Sequence, residues 1–588
     1  MSLIGYKDAW SLLAASAGLI AAHPSLAGNP PLLASLLLSG MGGSLLANKN
    51  AARWLDTTNT KSREDFILQS DQVYPEAMGE LALRFGYTKD NYYPVDIPNQ
   101  FTMRHTAIIG QSGVGKTTLG EFILWQQAIR GGGWVFIDAK LDASTRDKLF
   151  YMMSILGRAD DFYVLNVDQP DNSNRYNPIL RGDADEVSSR LLNLLPASEN
   201  SPGADYYRNS ANHALTVLIG GLKAAKYRYH FADLAILLQS GRALGELERM
   251  VPPGPEKMAL QVFLDQFRKK TKEGVVIDTD RLKQVLGGMS GRIALFAQGK
   301  FGQIFNTYTP EIDLTEIVMQ NKFLYVMLPT MGKDAAALNL GKMILSDLRT
   351  AVYNVQALKE DQRPWPPFLV FADEMGSYVM PGIARLFEQA RSANICMIPA
   401  FQSFANLSVV SPDFADIIIQ NTWNKVLFKF ASKESPEIAA EIIGKTKRFT
   451  KTFTKGQSEG GTASSMNTTP QASASDSGSL NQSWRETEEF RVTPDQLKAL
   501  GMGEAIIMSG PRIFHVRTPM LKFPKVPEFK AVRHHVTIPK TEKALDFMVR
   551  YKEFLSAAED EGRKDTTPGT FAPPLELTKP PLATPGED

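Results

Sequence analysis

Cysteine is almost absent from this 588-residue chain: Cys396 stands alone. An internal disulfide framework and a Cys-rich metal site are therefore excluded. Its place in the apolar run ICMIPAF marks it as a buried core residue. Histidine is scarce too, and the seven residues show no metal-ligand spacing. Neither sign of charge is in excess, since 64 basic and 63 acidic residues leave a formal charge of +1. A bulk electrostatic hold on nucleic acid is not indicated, so DNA contacts would have to come from local patches or from a ring that repeats them. One further absence is local. Between Trp10 and Ala47 there is no Asp, Glu, Lys or Arg.

Two apolar stretches, Trp10–Ala22 and Leu32–Ala47, fill that interval and flank the turn-rich segment HPSLAGNPP. A spanning helix needs about 20 apolar residues, so each stretch requires help from its flanks. Pro24, Asn29, Pro30 and Pro31 suit a tight turn, which makes the pair a transmembrane helical hairpin over 1–50. Lys7 precedes it and Lys49, Arg53, Lys61 and Arg63 follow, placing both ends in the cytoplasm by the positive-inside rule. The competing readings are a secretory signal cleaved after Ser25-Leu26-Ala27 and a buried hairpin of a soluble fold.

What is present is globular in composition, 43% hydrophobic and 22% charged, and long enough for two to four domains. Residues 51–95 are mixed and polar, a membrane-proximal linker. From 96 onward β-branched and aromatic runs alternate with helical patterns, the mark of an α/β domain with a parallel sheet. Its strands are expected at Thr106–Ile109, Trp134–Asp138, Phe162–Val167, Phe323–Leu328, Phe368–Asp373, Ile395–Phe401 and Lys425–Phe430. A late hairpin, Glu504–Ser509 with Arg512–Arg517, turns at Gly510-Pro511. Between Asp183 and Gly299 the apolar residues recur at helical spacing, so 183–300 is expected to be an all-α insertion between two parts, 96–182 and 301–530, of one nucleotide-binding domain. Within the second part, Lys455–Ser483 is too poor in large apolar groups to order itself and should be a mobile loop. Residues 531–588 are expected to form a polar, Pro-rich tail.

The segment Gly110-Gln111-Ser112-Gly113-Val114-Gly115-Lys116-Thr117 matches GxxxxGK[ST] in full, after the strand TAII and before the helix TTLGEFILWQQAI. Its glycines let backbone N–H groups turn inward on phosphates, and the helix N-terminus adds a favourable partial charge. Thr118 closes the cradle. Lys116 is expected on the β- and γ-phosphates of ATP and Thr117 on Mg²⁺. An acidic pair at a strand end is commonly just solvated, but behind a complete P-loop FLVFADE supplies Asp373 for the metal and Glu374 to polarise the attacking water. Gln402 ends the strand ICMIPAF, where a side chain could sense the γ-phosphate. Arg391 is either an arginine finger for a neighbouring subunit or an ordinary surface arginine; Arg292 and Arg385 are weaker candidates. Lys140, Lys333 and Lys425 could face a channel only in the ring that the resemblance below implies.

Taken together, these elements resemble the type IV coupling proteins, the TraD/TraG-like ATPases of conjugation and type IV secretion within the FtsK–HerA superfamily. The resemblance runs over about residues 5–520 and rests on the apolar pair, RHTAIIGQSGVGKTT, FIDAKLD, Asn177-Pro178, FADEMGSY, QARSANICMIPAFQSFANL and GEAIIMSGPRIFHVR. Where the family reads an Asp-Pro-Lys-Gly type sequence, this chain has Asp138-Ala139-Lys140-Leu141. The outer loop between the apolar stretches is also far shorter than in many members. The resemblance implies a RecA-like, ring-forming and expectedly hexameric ATPase in the bacterial inner membrane, its ATPase domain cytoplasmic. It also implies Lys116, Thr117, Asp373, Glu374, Gln402 and Arg391 as the hydrolytic set. The implied partners are channel components, relaxosome or effector proteins, and DNA. An FtsK/HerA-like DNA pump and a docking platform governed by ATP are the alternatives.

Overall fold

A computed structural model describes residues 67–69, 81–195, 202–271, 274–330, 334–408, 411–458 and 477–547. They divide into two compact units, one drawn from 1–178, 303–305 and 309–536, the other from 179–302, 306–308 and 537–588. The hairpin expected at 1–50 lies outside the described residues, and no described helix is long and apolar enough to cross a membrane.

The first unit is built on a sheet of 11 strands. In chain order these are β1 Ala82–Thr88, β2 Pro94–Pro98, β3 Thr106–Ile109, β4 Trp134–Asp138, β5 Phe162–Asn166, β6 Phe323–Met327, β7 Phe368–Ala372, β8 Ile395–Phe401, β9 Asn424–Leu427, β10 Glu504–Ser509 and β11 Arg512–Arg517. Their spatial order is β2-β1-β11-β10-β9-β3-β8-β7-β4-β6-β5. From β9 to β5 every pairing is parallel. Every residue of β3 to β8 is buried, as expected of central strands covered on both faces. Packing against the sheet is close: a Cβ on Gly120 would lie 2.7 Å from the Phe371 ring, so the helix Lys116–Ile129 can approach β7 only with glycine there. Phe136 wedges edge-on between Phe371 and Tyr325, with centroids 4.9 and 5.1 Å away.

The expected strands are all present within a few residues, yet the sheet is mixed rather than parallel. β10, β11, β1 and β2 extend one edge by antiparallel pairing. Residues 82–95 therefore belong to the nucleotide-binding sheet and not to a linker. Residues 455–458 and 477–483, expected in a mobile loop, pair instead in an antiparallel ribbon of Lys445–Ser458 with Ser477–Phe490. Alternation of Thr with Lys and Phe through Phe453 gives the ribbon its β character, which bulk composition concealed. The intervening 459–476 lie outside the described residues.

The second unit is mainly helical but not all-α. The hairpin Arg268–Thr271 with Gly274–Ile277 interrupts the helices. The helix Ala184–Leu192 starts at a full capping box between Asp183 and Glu186. The later chain is not simply tail either. Lys543–Ala544 pairs in parallel with Tyr227–Arg228, and Leu545 and Phe547 are fully buried. Beneath them lies Asp233, whose carboxylate accepts from the His230 N–H at 3.0 Å, the Tyr308 hydroxyl at 3.3 Å and the Phe547 N–H at 3.3 Å.

Candidate active site

Strand β3 delivers the chain to Gly110, and the helix Lys116–Ile129 resumes it at Lys116. Gly113 and Gly115 take φ of +78° and +113°, where any side chain is strained. Gly110 is needed for space, since a Cβ there would fall 2.5 Å from the Phe428 Cβ. Lys116 is buried, and its Nζ donates to the carbonyls of Gly110 at 2.6 Å and Gln111 at 3.0 Å. Burial lowers its pKa, against the pull of Glu374 and Asp373. Gln111 is tied by its N–H to the Lys429 carbonyl at 3.0 Å, whereas Ser112 is exposed.

Parallel register brings the acids to the same edge. Ile137 of β4 faces Ala372 of β7, so Asp138 and Asp373 emerge side by side. Asp138 serves its own turn: its carboxylate accepts from the N–H groups of Lys140 at 2.8 Å and Asp142 at 2.7 Å and from the Tyr325 hydroxyl at 2.9 Å. Burial raises its pKa, and Asp373 raises it further. The turn throws Lys140 over the two acids that follow β7. Its Nζ stands 3.0 Å from Asp373 Oδ2 and 3.1 Å from Glu374 Oε1. Burial alone would lower the Lys140 pKa, but the two carboxylates outweigh it and hold it above the ordinary value.

Thr117 and Gln402 join the same chain of contacts. Thr117 donates from Oγ1 to Asp373 Oδ2 at 3.3 Å. Gln402 donates from Nε2 to Glu374 Oε1 at 2.9 Å. Glu374 itself adopts φ +49°, a left-handed conformation that turns the chain sharply out of β7. Tyr378 locks the turn by donating to the Asp373 carbonyl at 3.0 Å. The P-loop, the Asp373-Glu374 pair and Gln402 are thus brought together by three strand ends, β3, β7 and β8.

Gly113 to Thr118 form one wall of a cleft of about 430 Å³; Lys140, Gly501 to Glu504, Arg517, Thr518 and Met520 complete it. The Gly503 N–H donates to the Val114 carbonyl at 3.0 Å, pinning that wall to the loop. Glu504 accepts from Lys89 at 3.2 Å and from the Gly501 N–H at 3.1 Å, and Arg517 stands 3.4 Å away. Burial would raise the Glu504 pKa, yet these donors outweigh it and keep it below the ordinary value.

Arg391 is exposed in the turn before β8 and does not line the cleft. Arg385 is exposed as well. Arg292 donates to the Leu194 carbonyl at 3.0 Å within the second unit. Lys425 is buried with its Nζ on the Thr422 carbonyl at 2.5 Å, which removes it from any channel wall. Lys140 belongs to the acidic pair instead, and Lys333 lies outside the described residues.

Residues 367–501 match the family described as the TraM recognition site of TraD and TraG. Over 398 residues the chain is 25% identical to the type 4 coupling protein DotL of Legionella pneumophila, a match covering 58% of this chain and 49% of DotL. The chain is a relative of the type IV coupling proteins. It spans about half the length of DotL. An uncharacterized protein of Mycoplasma pneumoniae is 28% identical over 106 residues, which cover 18% of this chain and 67% of that one. Among solved structures the bacterial conjugative coupling protein TrwB, in an unbound form, shares the fold with a TM-score of 0.51 at 16% identity, over 74% of this chain and 90% of that one. The large sheet flanked by helices is thus a coupling-protein fold.

Proposed function

We propose that this coupling-protein relative is a membrane-anchored, ring-forming ATPase that drives DNA with its bound proteins, or protein effectors, into a type IV secretion or conjugation channel. The observation that carries the reading is the convergence of Thr117, Asp373, Glu374 and Gln402 around the mouth of the P-loop. Similarity to DotL, a type 4 coupling protein, supports the secretion role. The inner-membrane anchor would be residues 1–50, the ATPase units cytoplasmic and the ring a hexamer. Relaxosome or effector proteins and the channel would be its partners.

The chemistry follows from the geometry. ATP enters with its β- and γ-phosphates on the N–H groups of 111–118, and Lys116 exchanges its loop carbonyls for phosphate oxygens. No group of three or more His, Cys, Asp or Glu among the described residues could hold a metal alone. The Thr117 hydroxyl and Asp373 carboxylate are oxygen donors of the kind Mg²⁺ takes together with waters and phosphate oxygens. Bound there, Mg²⁺ would supply charge neutralisation between the β- and γ-phosphates. Glu374, held by Gln402, accepts a proton from the attacking water as the new P–O bond forms and the bond to the β-phosphate oxygen breaks. Arg391, offered by a neighbouring subunit, would steady the charge on the leaving side.

Steady-state hydrolysis by the full-length protein tests this. Glu374→Gln should bind ATP but lose turnover and transfer, and Lys116→Ala should lose all three. Transfer that survives Glu374→Gln would replace the motor with an ATP-governed docking platform. Arg391→Ala subunits should regain activity when mixed with Lys116→Ala subunits, and no rescue at any ratio would rule out a shared site.

A further inference from the structure

Lys140 brings a cation of the protein's own to the mouth of the P-loop. Lys140 Nζ lies between Asp373 Oδ2 and Glu374 Oε1, at 3.0 and 3.1 Å. Thr117 Oγ1 donates to that same Asp373 oxygen at 3.3 Å. The two groups read as metal ligands therefore spend one lone pair on a lysine and one hydroxyl proton on each other. A divalent cation bound by that oxygen would stand beside the ammonium, and like charges in such proximity repel strongly.

Three features make the lysine displaceable rather than a fixed ion pair. The Asp373 side chain is 1% exposed, whereas that of Lys140 is 40% exposed, so the stem can swing outward while the carboxylate cannot. The turn that presents it is held independently through Asp138, which grips the backbone of 140 and 142 and not the ammonium. Leu141 sits at φ +62°, a conformation L residues seldom adopt, and the strain fixes where the lysine emerges.

We propose that Lys140 is a displaceable counter-ion that keeps the Asp373–Glu374 pair closed to divalent metal until the metal arrives with its triphosphate. The closed and metal-bearing arrangements form a two-state element, biased toward metal only when phosphate oxygens add their ligation. Glu374 is released from Lys140 in the same movement and keeps Gln402 as its partner, so the base becomes available only in a loaded site. Lys140 is a positioning residue in this scheme. The inference rests on reading Thr117 and Asp373 as the metal ligands.

Mn²⁺ titration of the full-length protein by electron paramagnetic resonance, without nucleotide, gives the test. Lys140→Met keeps the stem and removes the charge, and should tighten Mn²⁺ binding by about tenfold or more. Lys140→Gln repeats the test should the thioether disturb folding. Lys140→Arg retains the charge and should bind Mn²⁺ as weakly as the wild type. Unchanged or weaker Mn²⁺ binding in both uncharged variants would overturn the counter-ion role. The underlying site is checked separately: wild-type protein must bind Mn²⁺ when ATP is added, and Asp373→Asn must not. If the wild type takes up no Mn²⁺ with ATP, the reading of the metal ligands fails, whatever Lys140 does.

Discussion

Asp373 in the first unit and Asp233 in the second are both carboxylates removed from water, and the chain handles them in opposite ways. Asp373 meets an ammonium at 3.0 Å. Asp233 meets uncharged donors: two backbone N–H groups, from His230 and Phe547, and the Tyr308 hydroxyl. Burial pushes Asp233 up to about 7, and it pushes the adjacent His230 down to about 4, so both move toward their neutral forms. A carboxylate paired with an exposed ammonium suits a site where a metal could replace that partner. One driven toward neutrality, with a chain segment folded over it, serves as a structural fastener.

The comparison breaks most visibly at Asp373. Asp373→Asn should lower turnover by about 10³-fold while leaving the melting temperature close to wild type. Asp233→Asn should leave turnover intact. A loss of turnover at position 233, or an indifferent Asp373, would dissolve the distinction. Next in size is the fastener itself. Phe547 is fully buried, and its N–H reaches Asp233. Phe547→Ala should destabilise its unit locally by about 3–5 kcal/mol. Faster hydrogen exchange at the Leu545 amide, which donates to the Arg228 carbonyl, would report it. An unchanged rate would mean that the segment is not held there.

The pH response of Asp233 is more subtle. Folding raises its pKa from 3.8 to about 7, so the stability it contributes falls as pH rises across that window. His230 runs the other way. Its pKa falls from 6.5 to about 4 on folding, so stability rises with pH between those values. Tyr308 and Asp546 also face the site; Tyr308 stays protonated throughout, its pKa raised by burial and by Asp233. The two slopes nearly cancel in the wild type. Asp233→Asn removes only the first, so relative to wild type it should gain about 2–3 kcal/mol between pH 5 and pH 8. Thermal melts across that range provide the readout, and parallel pH profiles for the two proteins would show Asp233 to be ionised in the fold.

How much of this could be read beforehand depends on how far the information is spread along the chain. The P-loop and Asp373-Glu374 are contiguous motifs, and Thr117 of the one meets Asp373 of the other at 3.3 Å. Gln402 was placed by its strand end. Lys140 was visible in FIDAKLD but not locatable, because its contact with Asp373 exists only through the β4–β7 register across 233 residues. Glu504 and Arg517 were within reach: a hairpin turning at Gly510-Pro511 sets them directly opposite, as observed. Asp233 was not, since an acid in a helical run gives no sign that residues 314 positions later will cover it.

The smallest expected effect concerns the turn that aims Lys140. Type IV coupling proteins usually carry glycine where this chain has Leu141, and the φ of +62° supplies the reason. Leucine there accepts about 1–2 kcal/mol of strain. In return its half-buried side chain packs against the core beneath the sheet. Leu141→Ala discards the packing and retains the strain. Leu141→Gly discards the packing but relieves the strain, at a cost of about 0.5–1 kcal/mol in unfolded-chain entropy. Glycine should therefore be the more stable of the two variants by up to about 1 kcal/mol, the reverse of the usual order. If alanine proves more stable, the turn is not held left-handed, and Lys140 loses the rigid base from which it reaches the acidic pair.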